Sequence, residues 1–421
     1  MGKYRLAFVA FDSAKEKHAV AIAKDGRDGE VRYLGEINNS PDAVKKLVTK
    51  LSRQYERLHF CYEAGPTGYG LHRQLSDLGH ACDVVAPTMI PKRSGDRVKT
   101  NRRDAVMLVK LLRAGELRAV WVPDAVHEAV RDLTRAREVA MLDLRVKRQQ
   151  LSSFLLRHGR NYSAGKNWTK MHSRWLAAQK FDHPAQQIVF QDQIEAITAA
   201  EVRLVALEQQ LREIIPTWTM APVVAAYQAL RGVSLLVAST FVAEIGDVRR
   251  FATPQQLMAF LGLVPSERTT GDMVRRGSIT KTGNRRARRV LIEGSWAYRY
   301  PARVGESLQT RLKDLALPVR TIAWKAQVRL CARYRQLVAK GKKPAVAVTA
   351  VARELAAFLW AIGHQVAPAK AASSETASPR HRAMGEAATP SSAGRPGPLA
   401  AGSSRRQRAA GPARLSAAQA R

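Results

Sequence analysis

Over the first 120 positions the apolar residues fall into short runs bounded by polar breaks, with helical spacings between some of them. Tyr4 to Asp12 is one such run, closed by an aspartate, and reads as a buried strand. His18 to Ala23 and Val31 to Ile37 read as two more strands, with Asp25-Gly26 as a turn between them, which gives an antiparallel meander. Ser40-Pro41-Asp42 predicts a helix start, and Val44, Leu47 and Leu51 follow at helical spacing. A strand ending at Glu63, a break at Gly65-Pro66-Thr67-Gly68, a helix from Tyr69 to Leu78 and a strand from His80 to Ala86 come next. A helix after Asp104, apolar from Val106 to Leu112, closes the unit.

From Asp124 onward the period lengthens. Leu133, Ala140, Leu144, Leu151 and Leu155 form one apolar seam. Beyond a polar and aromatic connector (Asn161 to Phe181), Phe190, Ile197, Leu204 and Leu211 recur every seven residues. This predicts a two-helix arm of coiled-coil character, either an internal antiparallel hairpin or a dimerisation arm. Further on, Leu230-Arg231-Gly232-Val233-Ser234 precedes Ala238, Phe241, Val242 and Ile245. That pattern reads as a helix-hairpin-helix-like segment whose loop turns N–H groups toward a phosphate, or as a plain αα-hairpin. Helices are also expected at Ala287 to Tyr298, Ile322 to Val338 and Ala345 to Ile362. Past Pro368 large apolar residues nearly vanish, so a disordered basic tail is expected. The chain then divides into residues 1–120, 121–216, 217–365 and 366–421.

Charge narrows the possible partners. The formal net charge is +34 over 421 residues, which a polyanion would neutralise, and nucleic acid is the usual one. Cys61, Cys82 and Cys331 stand too far apart for a disulfide framework or a zinc pattern and suit a reducing cytoplasm. No secretory leader is expected, because the N-terminus runs straight into a strand. The apolar run from Val233 is too short to span a bilayer before Glu244 interrupts it, so no membrane partner is expected.

Two stretches carry chemistry. Asp12 and Glu63 end strands, and Asp104 starts a helix inside Lys99-Thr100-Asn101-Arg102-Arg103-Asp104-Ala105. Three strands, then helix, strand, helix, strand, helix is the order in which a ribonuclease-H-like α/β fold gathers its acids around a divalent metal. Hard cations take carboxylate and phosphate oxygens together. The second stretch, expected to be a loop, runs from Gly262 to Asn284 and is dense in hydroxyls, glycines and arginines. Arg275, Arg276 and Lys281 suit a phosphate, and a hydroxyl there is a phosphate ligand or a nucleophile.

Together with Asp12-Ser13-Ala14-Lys15 and Glu63-Ala64-Gly65-Pro66-Thr67-Gly68-Tyr69, these motifs resemble the DEDD-type insertion-sequence transposases over roughly the first 365 residues. That family joins a RuvC-like N-terminal domain to a mainly helical C-terminal transposase domain and is related to pilin-gene invertases. The resemblance implies recombination of donor and target DNA by a homo-oligomer, dimer or tetramer, in the bacterial cytoplasm, guided by a structured non-coding RNA. It implies a covalent protein–DNA intermediate on a C-terminal hydroxyl, with Mg2+ held by the N-terminal acids. By position Asp12, Glu63 and Asp104 match three of the four acids, Asn101 occupies the remaining place, and Thr270 stands where many members have a serine nucleophile. Asparagine keeps a carbonyl oxygen for the metal but loses a charge. Threonine keeps the hydroxyl but crowds it with a methyl. Ser266 and Ser278 are nearby substitutes. A hydrolytic RuvC-like nuclease and a catalytically weak nucleic-acid-binding remnant are the competing readings.

Overall fold

Strand β1 (Tyr4–Ser13) is apolar on both sides: Val9 and Phe11 face one way, Ala10 the other, and all three are fully buried. A strand covered on both faces shows an unbroken apolar run instead of an alternation. The structure, a computed structural model, describes residues 4–91, 100–271 and 273–369. β2 (Lys17–Lys24) and β3 (Val31–Asn38) return antiparallel beside β1, as the meander predicts. Helix α1 (Pro41–Ser52) leads to β4 (Tyr55–Glu63), parallel to β1, and α2 (Gly70–Asp77) leads to β5 (Ala81–Val85), parallel to β4. The sheet order is β3-β2-β1-β4-β5. Ser40 caps α1 as expected, its Oγ accepting from the Ala43 N–H at 3.3 Å.

Helix α3 (Asn101–Arg113) lies across one sheet face. Its Ala105, Leu108, Val109 and Leu112 pack on Ala10, Ala19, Ala21, Ala23 and Cys61. The small sheet residues let the helix backbone approach. The other face takes Val44, Val48 and Leu51 of α1 and Leu75 of α2. The apolar run alone places the start of α3 too late. Thr100 Oγ1 accepts from the Arg103 N–H at 3.3 Å, so the helix opens at Asn101 and takes Asp104 into its first turn. Lys99 lies outside the described residues.

Next come α4 (Ala125–Arg157), α5 (Lys170–Ala177) and α6 (Pro184–Ile214). α4 and α6 pair with each other as an antiparallel hairpin. Leu144, Leu151, Phe154 and Leu155 pack against Phe190, Ile197 and Ala200. Ion pairs Arg137–Glu208 (2.5 Å) and Arg148–Glu201 (2.6 Å) run down its side. The expected connector contains α5, which the apolar pattern does not reveal.

The remaining elements are α7 (Ala221–Tyr227), α8 (Leu235–Ile245), α9 (Pro254–Phe260), a two-stranded hairpin of β6 (Pro265–Thr270) and β7 (Met273–Ile279), α10 (Arg285–Ser295), α11 (Glu306–Leu312), α12 (Leu317–Ala339) and α13 (Pro344–Gly363). By length and composition α13 could cross a membrane, but here it is a core helix. Val351, Leu355, Leu359 and Ile362 are fully buried in the cluster that includes Phe241, Val242 and Leu291. The turn between α7 and α8 uses Gly232, at φ +80°, to touch α10: a Cβ there would sit 2.1 Å from the carbonyl oxygen of Gly294. The described residues belong to one contact unit. The tail expected from residue 366 lies, past Ala369, outside the described residues.

Candidate active site

Register and helical period together bring the N-terminal donors to one place. Phe11 of β1 stands beside Tyr62 of the parallel β4, so the next residues, Asp12 and Glu63, lie at the ends of neighbouring strands, Glu63 as the last of β4 and Asp12 one before the last of β1. Side chains alternate along a strand, so these two share the face of Ala10 and Cys61, the face that α3 covers. On α3, Asn101 and Asp104 lie about one turn ahead of Ala105 and Leu108, which touch that face. The helix direction is fixed at its far end, where Arg113 donates to the carbonyls of Lys24 (3.4 Å) and Gly29 (2.5 Å). Its first turn therefore lies toward the end of β1 that carries Asp12.

The electrostatics agree with this placement. Burial, then the carboxylate of Glu36, push the Tyr33 phenol above its usual range; Arg102 opposes this and Asp12 adds to it. The Arg102 guanidinium lies 5.5 Å from the Tyr33 ring centre. Tyr33 thus feels both the first acid and the opening turn of α3. Oδ2 of Asp104 and Oγ of Ser13 are buried with no hydrogen-bond partner. An orphaned carboxylate oxygen is the kind of hard donor a divalent cation takes. Even so, among the described residues no three His, Cys, Asp or Glu side chains are grouped closely enough to hold a metal ion. The acids share a face and an end of the sheet without closing into a ligand cluster.

Thr270 is placed differently. The stretch read as a loop is a β-hairpin, and Thr270, paired with Met273, is the last residue of β6 before the turn at Gly271 (φ +58°). Arg268, Arg275 and Arg276 are exposed along the hairpin. A register shift near Ser266 lets its hydroxyl pack over Gly277, where a Cβ would meet Ser266 Oγ at 2.5 Å. None of the hairpin's side-chain hydrogen bonds or ion pairs among the described residues reaches β1, β4 or α3. The structure therefore puts Asp12 and Glu63 on one face of the sheet and Asn101 and Asp104 in the first turn of the helix on that face, and puts Thr270 on the β6–β7 hairpin.

What anchors that hairpin was not legible beforehand. Arg288 of α10 is buried and donates to the carbonyls of Leu261 and Thr282, both at 2.8 Å, tying the two ends of the hairpin segment together. Asn284 caps α10 and also donates to Glu244 at 2.7 Å. Glu244 in turn holds Arg135 of α4 through two bonds of 2.7 and 3.0 Å. Burial alone would raise the Glu244 pKa, but Arg135 and Asn284 outweigh it and keep the carboxyl below its ordinary value. The signal was present in the sequence: a lone acid inside the apolar run Val233 to Ile245 has to be paired when the run is buried.

Hard-oxygen donors at a sheet end, with an arginine-bordered hydroxyl on a separate basic hairpin, describe an enzyme that works on nucleic-acid phosphodiesters. Comparison with known proteins makes this specific. Residues 9–159, which hold all four N-terminal donors, match a transposase profile of the DEDD IS110 type, and residues 225–306, which hold the hairpin, match the profile "Transposase IS116/IS110/IS902 family". The y4qE protein of Sinorhizobium fredii, which bears a transposase name, is 53% identical over 86% of this chain and 90% of its own length. The transposase for insertion sequence element IS1533 of Leptospira borgpetersenii is 30% identical over 80% of this chain and 99% of its own length. The chain belongs to the IS116/IS110/IS902 family of transposases. Membership of a DEDD-type family also points to a divalent metal.

Proposed function

We propose that this transposase cuts and rejoins the DNA of its insertion sequence through a covalent protein–DNA intermediate on Thr270. What supports the reading is that Asp12 and Glu63 share a face near the ends of neighbouring strands, that the helix packed on that face opens with Asn101 and Asp104, and that Oδ2 of Asp104 is buried without a hydrogen-bond partner. Asp12, Glu63 and Asp104, with the Asn101 carbonyl, would hold Mg2+, which when bound neutralises charge at the scissile phosphate and the leaving oxygen. Thr270 Oγ1 attacks the phosphorus, a P–O bond to the 3′ oxygen breaks, and the hydroxyl proton passes to that leaving oxygen. In the second step a 3′ hydroxyl of the other DNA attacks the Thr270 phosphodiester and regenerates the free threonine. The number of phosphodiester bonds is conserved, so no external energy source is needed. Arg275 and Arg276 neutralise the non-bridging oxygens during both displacements.

The N-terminal sheet is read as a ribonuclease-H-like RuvC domain of residues 1–120, the arm as residues 121–216 and the transposase domain as residues 217–365. The arm's coiled-coil character and the phosphate-facing turn at Gly232–Ser234 belong to the same reading. So do the guide RNA, the dimer or tetramer and the cytoplasmic location.

Trapping tests the nucleophile. Wild-type protein incubated with element-end DNA and Mg2+ leaves a protein–DNA adduct that survives denaturation. Asp12→Ala and Thr270→Ala each abolish it and lower strand transfer by about three orders of magnitude or more, while DNA binding is retained. Metal-dependent nicking without any adduct would support the hydrolytic reading instead.

A further inference from the structure

The far end of the arm is unlike the rest of it. Near its base and along its middle the arm carries both signs of charge, and the pairs Arg137–Glu208, Lys147–Asp143 and Arg148–Glu201 cancel much of it. Between Asp143 and Asp182 there is no acidic residue at all. The turn region contains Arg157, Arg160, Lys166, Lys170, Arg174 and Lys180. Lys166, Lys170, Arg174 and Lys180 are exposed and have no acidic partner among the described residues.

This end is also more elaborate than a helix connection requires. Two antiparallel helices need a link of only about 2–8 residues. Here residues 158–183 fold into a small module. His172 is buried, with the rings of Tyr162, Trp168 and Trp175 centred 4.9, 5.1 and 5.6 Å away, and Arg148 lies 4.9 Å from the centre of the Trp168 ring. Trp168 is held at φ +64°, a conformation that L side chains rarely adopt and that only firm packing sustains. Arg160 reaches across to the Lys180 carbonyl at 2.9 Å and lies over the Phe181 ring. Thr169 caps α5, and Lys170 and Arg174 follow four residues apart on its exposed side. The module is a rigid mount for cations.

We propose that the arm end is a phosphate-backbone contact, gripping a duplex away from the reacting linkage. A second copy of this chain is a poor occupant, since it would bring the same uncompensated cations together. Phosphate contact without base reading is expected there, because three of the four exposed groups are lysine ammoniums, which act as point charges. Ion pairs tie Glu138 of α4 to Arg286 and Arg289 of α10, which marks where the arm leaves the C-terminal region. From Glu138 to Arg157 the helix rises about 28 Å, close to the roughly 34 Å of one duplex turn. The contact therefore falls about one turn from whatever the base of the arm engages.

The proposal rests on the nucleic-acid reading above, and its test separates the two. Full-length protein is titrated with a 40-base-pair DNA duplex and with an RNA duplex of equal length over a series of salt concentrations. Lys166→Ala, Lys170→Ala, Arg174→Ala and Lys180→Ala are combined in one variant. A control variant removes the same charge from α1 and its C-cap through Lys45→Ala, Lys46→Ala, Lys50→Ala and Arg53→Ala, all exposed. The arm variant is expected to lower the salt slope by about 3–4 on the duplex it grips and to weaken binding by about tenfold or more at 0.15 M salt. The control should change far less, and both variants should melt with wild type. Whichever duplex loses slope identifies the backbone as DNA or RNA. An unchanged slope on both, or an equal loss in the control, overturns the arm contact and leaves the transposase reading standing. If wild type binds neither duplex, both fall.

Discussion

The sheet corner that carries Asp12 and the hairpin that carries Thr270 are built on opposite terms. Around Asp12 the backbone is paired on both sides, and β1 lies between β2 and β4 with buried residues above and below. Along β6 and β7 almost every residue is exposed, and both outer edges lack a strand partner among the described residues. A two-stranded ribbon of this kind is marginally stable alone. Its position is set at the base, by Arg288 and by glycines packed on backbone, and its far end is left to be fixed by what it binds. The corner of the acids is held by the sheet, whereas the hairpin that bears Thr270 is held only at its root.

That contrast can be broken most severely at Gly283. It sits at φ +68°, and a Cβ there would lie 1.9 Å from the Phe260 carbonyl oxygen. Gly283→Ala should cost about 2–4 kcal/mol in unfolding free energy and depress strand transfer beyond what the lost stability explains. Denaturant unfolding alongside a transfer assay would show this; normal transfer in the variant would mean the base does not aim the hairpin.

Bulk added to the two regions sharpens the comparison. Ala105 of α3 is fully buried against the sheet, so Ala105→Leu should cost about 1–3 kcal/mol and lift the turn bearing Asn101 and Asp104. Val274→Ala, on the exposed hairpin, should stay within about 0.5 kcal/mol. Equal losses in thermal or chemical unfolding would contradict the assignment of one region as scaffold and the other as projection.

The smallest effect is in pH. Burial lowers the pKa of His18, opposed by a hydrogen bond with Asn39, and the ring also packs on Phe11 one residue before Asp12. His127 and His172 are shifted down by burial as well. The folded state resists protonation while the unfolded chain takes up protons below about 6.5, so stability is full above that value and declines as pH falls through it. Each group should remove about 1 kcal/mol or less between pH 7.5 and 5.5. Melting curves for wild type and His18→Gln would show part of the decline missing in the variant. Identical pH profiles would remove His18 from the account.

The order of strands and helices up to Arg113 was legible because its signals are local: apolar runs, the Ser40 cap, the Gly65 to Gly68 break. The position of Asp12 and Glu63 near strand ends is legible for the same reason, since the end of an apolar run is a property of a short segment. The hairpin was misread as a loop because neither β6 nor β7 buries a face, so no alternation marks them. The start of α3 was placed late because Arg102 and Arg103 are exposed and only Thr100 announces the turn. The network of Arg135, Glu244 and Asn284 joins residues up to 149 positions apart in the numbering (Arg135 to Asn284), and its one local mark is the lone acid inside an apolar run.

Gly232 and Gly294 meet backbone to backbone, each filling the space where the other's side chain would stand. Change at one is therefore expected to require change at the other. Enlarging either one pushes α10 outward and swings the ribbon rooted just ahead of it, so a lineage that alters one position can keep its aim only by reshaping the turn and the helix together. Drift in this part of the chain is therefore expected to come in coordinated blocks rather than in single steps.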